Sequence, residues 1–263
     1  MLSGYTLYGD AAGGKDHGFI VVSGYLATVD QWSEFIHDWR LLLAMYDVPY
    51  FHMKEFSQSK GPFTSWKDDE PKRKRFLSKA AEIIRSRVEY GLSCIVEYET
   101  FLKVNLSFRL DGAVGNPYSL AARDCVAHSY TYLFEKGYVD PEITYIFEDG
   151  DQGKGEFKRV MKKDGHHEPI FRPSRDRENG GVISRGSVPL QAADFAAYEI
   201  RKVFKDDPAE VWPIHRYRKS LAALSRVNSW WGRYSEQNLL QMCEVASIPS
   251  RGIANGNPPP APA

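Results

Sequence analysis

The segment Ile143–Phe147 (ITYIF) constrains the fold more than any other: five uncharged residues run straight into Glu148-Asp149-Gly150-Asp151. A short apolar run without polar alternation, bounded by a turn signal, is the pattern of a strand buried on both faces. Such strands sit in the middle of sheets covered by helices on both sides. Its C-terminal end then delivers carboxylates to the edge of the core, where a binding or catalytic cleft can form. Hydrophobic residues make up 43% of the 263 positions and aromatics 13%, enough apolar surface to cover such a sheet.

The remaining elements are placed around this strand. Tyr5–Asp10 reads as a first strand, broken by Ala11-Ala12-Gly13-Gly14, and Phe19–Ala27 as a second, antiparallel to it. Thr28 or Asp30 caps a helix to about Met45, and Pro71 opens another to about Val88, so residues 28–88 form a helical insert. Glu89–Thr100 alternates as a third strand, and Asn116-Pro117 opens a helix that Gly137 ends. After the central strand come a basic helix, Gly155–Lys163, a brief strand within Pro169–Pro173 and a helix from Pro189 to about Phe204. Residues 206–247 read as a helical extension packed on a domain of residues 1–205, and 248–263, ending NGNPPPAPA, as a disordered tail. The expected class is α/β, with a mixed five-stranded sheet flanked by helices.

Acids stand where apolar elements end or turn inward: Asp10, the Glu148/Asp149 pair, and Asp194 within PLQAADFAAYEI. A carboxylate beside a buried surface costs several kcal/mol unless it is paired, protonated or bound to a cation. Each acid alone is read equally well as the terminus of its element. Together they form an all-oxygen ligand set suited to Mg²⁺ or Mn²⁺, and two such ions stabilise the attacking and leaving oxygens of phosphodiester cleavage. Asp194 is the sharpest of them, because alanines and Phe195 surround it on a helix; Gln191, three residues earlier, shares its face and is placed to orient the carboxylate or a bound water. Strand alternation sends Glu148 and Asp149 to opposite faces, leaving the ligand open between them.

Other groups are weaker. His52 and Glu55 in FHMKEF share one face of a helical turn and offer a ligand or a general base, or an ordinary half-buried pair. Asp151 and Lys154 flank the central acids, and Lys154 is placed either to touch a phosphate oxygen or to be solvated. The glycine-rich run around them matches neither a P-loop nor an EF-hand, and His166-His167 lacks zinc-binding spacing. Basic residues recur at Lys158, Arg159, Lys162, Lys163, Arg172, Arg175, Arg177 and Arg185, either tracking phosphates or forming a solvated face.

Three motifs, YGDAAG, YIFEDGD and above all PLQAADFAAYEI, resemble those of the family known as domain of unknown function 3800, grouped with ribonuclease-H-like proteins. The element order is also the ribonuclease-H-like order with an insert between strands two and three. The resemblance spans about Tyr5 to Lys202, and implies that Asp10, Glu148 or Asp149, and Asp194 hold the metal, with His52 and Glu55 nearby. The family usually reads Asp-Glu-Ser-Gly at the end of strand one, whereas here Ala11 follows Asp10, so no role of that glutamate carries over.

The expectation is therefore a metal-dependent nuclease with Asp10, Glu148, Asp149 and Asp194 as its catalytic set. The rival is an inactive nucleic-acid-binding or protein-interaction module of the same fold, and a phosphoesterase acting on a small nucleotide differs only in substrate. With 34 basic and 34 acidic side chains, any nucleic acid must be held by local patches rather than a basic coat. No apolar stretch reaches the ~20 residues of a membrane span, and three dispersed cysteines without a leader-like N-terminus point to a reducing cytoplasm.

Overall fold

The computed structural model describes residues 4–150, 153–179, 182–206 and 218–251. In chain order the elements are β1 (Tyr5–Gly14), β2 (Phe19–Thr28), α1 (Val29–Met45), α2 (Met53–Ser57), α3 (Glu70–Arg87), β3 (Tyr90–Glu97), α4 (Tyr98–Ser107), α5 (Leu110–Val114) and α6 (Pro117–Glu135). There follow β4 (Ile143–Glu148), α7 (Lys154–Lys163), β5 (Ile170–Arg172), β6 (Arg177–Asn179), β7 (Val182–Ser184), α8 (Leu190–Asp206), α9 (Lys219–Leu224), β8 (Ser229–Tyr234) and α10 (Glu236–Val245).

Six strands form one mixed sheet in the order β5-β4-β1-β2-β3-β8. β2 runs antiparallel to β1 and β3, while β4 is parallel to β1, β5 to β4 and β8 to β3. The α/β class therefore holds, but the sheet has six strands instead of five. The sixth is β8, SWWGRY, inside the stretch expected to be purely helical. Its aromatics favour a pleated surface, and β3 offers it an open edge. Trp230 there stacks on His128 of α6, ring centroids 3.6 Å apart, a contact no local pattern encodes.

Three further boundaries differ from expectation. β1 does not break after Asp10: Ala11–Gly14 stay paired with β2, and Gly13 and Gly14 take φ of 108° and 131°, which side chains rarely adopt. The third strand stops at Glu97, and α4 begins at once. Residues 248–251 are docked, because Ser250 bridges Phe108 and the Arg251 guanidinium holds Asp111 at 2.7 Å. The rest of the expected tail lies outside the described residues.

The helix caps operate as their chemistry requires, those at α1 and α6 as expected from sequence and that at α3 in addition. Thr28 and Gln31 form a reciprocal capping box at α1, Asp69 caps α3, and Asn116 caps α6 ahead of Pro117. The first fixes where the insert leaves the sheet after β2.

Helices cover both faces. α6 packs over β2 and β3, with α7 beside it, closing a core with Leu7, Val22, Cys94 and Phe147. α8 lies across β1 and β2 on the opposite face. Its alanines 192, 193, 196 and 197 are buried, and these small side chains let it approach the sheet closely. The insert adds an aromatic cluster on that side, including Trp39, Phe51, Phe56 and Phe76, which joins α8 through Phe195, 5.5 Å from Phe51 between ring centroids. Among the described residues no helix is long and apolar enough to cross a membrane.

A candidate active-site cleft at the end of the central strands

The ladder between β1 and β4 closes at Gly9 and Phe147. Gly9 is required there, since a Cβ would come within 2.5 Å of the Phe147 ring. One residue beyond, Asp10 and Glu148, still paired with Ser23 and Arg172 on their other edges, share one face of the sheet, because each lies two positions past the paired Tyr8 and Ile146. That is the face α8 covers. The alternation resolves the ambiguity at the acidic pair geometrically: Glu148 shares the face of Asp10. Asp149 turns aside and is ion-paired with Lys154.

Asp10, Glu148, Asp149, Asp194, His52, Arg175 and Arg177 line one cleft of about 260 Å³, bordered by Ala11, Gly150 and Ser174. The chain thus brings residues from β1, β4, α8 and the insert to one place. Ala11, where the resembled family carries glutamate, packs partly against the core beneath α6. Asp151 lies outside the described residues.

Each side chain has defined partners. Asp10 is 8% exposed and its Oδ1 accepts from the Ala11 N–H at 2.7 Å. Glu148 Oε1 accepts from Arg177 Nη2 at 2.6 Å. Asp194 Oδ2 accepts from the Met53 N–H at 2.5 Å, and its Oδ1 stands 3.9 Å from His52 Nε2. Burial pushes the Asp194 carboxyl above its ordinary range, against the opposing pull of His52 and the Met53 N–H.

Gln191 does not orient Asp194, contrary to expectation. Its Oε1 accepts from Trp39 Nε1 and the Phe51 N–H, both at 2.9 Å, and its Nε2 donates to the Ser174 carbonyl at 3.0 Å. Gln191 and Asp194, on one face of α8, therefore pin the backbone at Phe51 and Met53 and hold His52 between the two ties. The spacing that made Gln-x-Ala-Asp conspicuous serves to fasten the insert to the cleft side of the sheet.

At the cleft wall Arg175 Nη1 donates to Glu55 Oε1 at 2.8 Å, Tyr50 OH donates to Glu55 Oε2 at 2.8 Å, and His52 Nδ1 lies 3.7 Å from Glu55. Desolvation raises the Glu55 carboxyl, yet the bonds from Arg175 and Tyr50 outweigh it and hold the group below its ordinary 4.5. A depressed carboxylate contributes stability that is complete above its unfolded value and fades as pH falls through the folded one. Glu55→Gln should thus be less stable than wild type in urea at pH 7, with the difference shrinking below pH 4.5; a constant gap at both pH values would contradict the charged tie.

Sequence patterns reach Arg175 and Arg177 only as part of a basic stretch, and do not reach Tyr50 or Ser174 at all. Loop residues have no periodicity to mark the face they present. Of the other basic side chains, Lys158 is paired with Glu168, Arg159 with Glu156 and Arg185 with Asp176.

The oxygen donors suit Mg²⁺ or Mn²⁺ by type. Among the described residues, however, no three His, Cys, Asp or Glu side chains stand close enough around one point to hold a metal ion. Glu148 is held by Arg177 and Asp194 by the Met53 N–H, so the arrangement as it stands is not a metal cage. Comparison of the chain with family models, with curated proteins and with solved structures yields no match.

Proposed function

We propose that this chain is a nuclease, a phosphodiester hydrolase acting on nucleic acid from a ribonuclease-H-like sheet. The observation that carries the reading is the cleft itself, where Asp10, Glu148 and Asp194, from three separate elements, meet two arginines and a histidine. The strand order β3-β2-β1-β4-β5, with β2 antiparallel and β4 and β5 parallel to β1, supports the fold part of the proposal.

Arg175 and Arg177 offer planar donor forks suited to the oxygens of a phosphodiester. Their guanidinium charge stabilises the negative charge that grows on phosphorus oxygens during attack. His52, one-third exposed at the cleft, takes a proton at Nε2 from the water that attacks phosphorus, the Asp194 carboxylate beside it holds the resulting imidazolium, and as the P–O bond to the sugar breaks the leaving oxygen takes a proton from solvent. The two arginines are held in ion pairs with Glu55 and Glu148 at the cleft wall, which a phosphate enters in exchange.

Asp10, Glu148 and Asp194 are the residues that would meet Mg²⁺ or Mn²⁺. Such an ion requires Arg177 to yield Glu148.

The test is cleavage of single-stranded, double-stranded and hybrid nucleic acids in Mg²⁺, in Mn²⁺ and in EDTA. The expected result is cleavage of at least one substrate with a divalent ion and its loss in EDTA. Cleavage that persists in EDTA would leave the hydrolase and remove the metal. Absence of cleavage under all three conditions would overturn the hydrolase in favour of a non-catalytic nucleic-acid-binding module, the reading that Ala11 and the arginine-neutralised Glu148 favour.

A further inference from the structure

Beside the cleft lies a second, larger depression of about 650 Å³ between α7 and β5, and Asp149 borders both. Its floor is the Phe171 ring on the edge strand of the sheet. Lys154 Nζ and Lys158 Nζ stand 5.5 and 5.8 Å from the centre of that ring. Lys162 follows one turn along the same stripe of α7, about 6 Å further, close enough to act on Glu168. The opposite face of α7 is spent on the core through Phe157, Val160 and Met161.

Two ammonium groups, those of Lys154 and Lys158, thus line a groove whose carboxylates are Asp149 and Glu168, and Lys162 stands just past its end on the same helix stripe. Lys154 pairs with the first and Lys158 with the second, both in half-exposed pairs, which water and salt screen. A chain of phosphates can take over these lysines at little cost. Both lysines lie over the Phe171 ring, and a nucleic acid suits this pairing because its phosphates draw the ammonium groups off the ring while a base takes their place on it.

We propose that this groove carries a single-stranded polynucleotide away from the cleft, with Lys154, Lys158 and Lys162 on its phosphates and Phe171 under a base. The inference rests on the nuclease reading and gives its substrate an extended single-stranded arm.

Fluorescence anisotropy with 5′-labelled single-stranded oligonucleotides of four and twelve residues, in EDTA, tests it on the full chain. Wild type is expected to bind the twelve-mer at least ten-fold more tightly than the four-mer. The double variant Lys158→Gln/Lys162→Gln should lose most of that advantage. Its salt dependence should flatten by about 1.4 in the log–log slope, about 0.7 for each phosphate of a single strand that the variant leaves without a cation. Phe171→Leu keeps an apolar side chain against the core and should weaken the twelve-mer about ten-fold by removing the stacking platform. Arg177→Gln serves as the cleft comparison and should weaken both lengths.

An unchanged twelve-mer affinity and salt slope in the lysine variant, with Arg177→Gln still impaired, would overturn the groove and leave the cleft reading standing. Competition by polyglutamate as strong as by unlabelled twelve-mer would assign the groove to acidic peptides and overturn the proposal. Failure of wild type to bind either oligonucleotide would overturn the groove, while the nuclease reading stands or falls separately on the cleavage panel in Mg²⁺ and Mn²⁺.

Discussion

Asp194→Asn is expected to lower cleavage by about 10²–10⁴-fold, the loss when the proton-transfer group His52 no longer has the charge that holds its imidazolium, while the protein melts no lower than wild type. The two halves of this expectation have separate causes. The asparagine carbonyl can still accept from the Met53 N–H, so the tie that holds the insert on α8 survives. What disappears is the negative charge 3.9 Å from His52 Nε2, and with it the stabilisation of a protonated imidazole. Removing a carboxylate whose burial already raises its pKa also removes a desolvation cost, so thermal stability should hold or rise. Asp194→Ala is the less informative variant, because it leaves the Met53 N–H unpaired at a cost of about 1–3 kcal/mol. Full cleavage by Asp194→Asn, measured as initial rate under saturating substrate, would remove Asp194 from the chemistry.

The sheet was legible because its signals are local. The apolar run of β4, the continuous burial of β2 and the proline-flanked caps of α3 and α6 each lie within a few residues of sequence. β8 was not legible, because SWWGRY becomes a strand only when β3 presents an edge and His128 a stacking partner, both more than 100 residues away in the chain. β6 and β7, three residues each, fall below the length at which alternation can be recognised.

The cleft shows the same division. Asp10, Glu148 and Asp194 could be selected because carboxylates interrupt apolar patterns, and the cleft unites them. Their relation to one another was not encoded locally. The arginine that meets Glu148 comes from a segment 29 residues later, and the partner of Asp194 is a backbone N–H 141 residues earlier. Sequence patterning locates charged groups on elements, but the counter-charges that set their chemistry arrive from segments with no pattern of their own.

Gln191 is where this matters most for stability, and Gln191→Ala is expected to destabilise the protein by about 3–5 kcal/mol, within the range for disrupting a buried hydrogen-bond network. The side chain is 2% exposed and makes three hydrogen bonds to three segments: Trp39 in α1, Phe51 before α2, and Ser174 after β5. Alanine would leave two buried donors and one acceptor unmet and open a void beneath Phe51. Gln191→Met separates these effects, since it refills much of the volume without restoring the bonds. Urea unfolding should show methionine recovering only a minority of the loss; full recovery would mean that volume, not hydrogen bonding, fastens the insert. Activity supplies an independent reading, because Phe51 adjoins His52 and Ser174 adjoins Arg175. Loosening both segments should lower kcat at temperatures where the variant is still folded, and methionine should not rescue it. A variant within about 1 kcal/mol of wild type, the size of one ordinary hydrogen bond, and with unchanged kcat would show that the insert's other ties, Asp194 to Met53, Tyr198 to Ser57 and Phe195 on Phe51, hold His52 and Arg175 in place without Gln191.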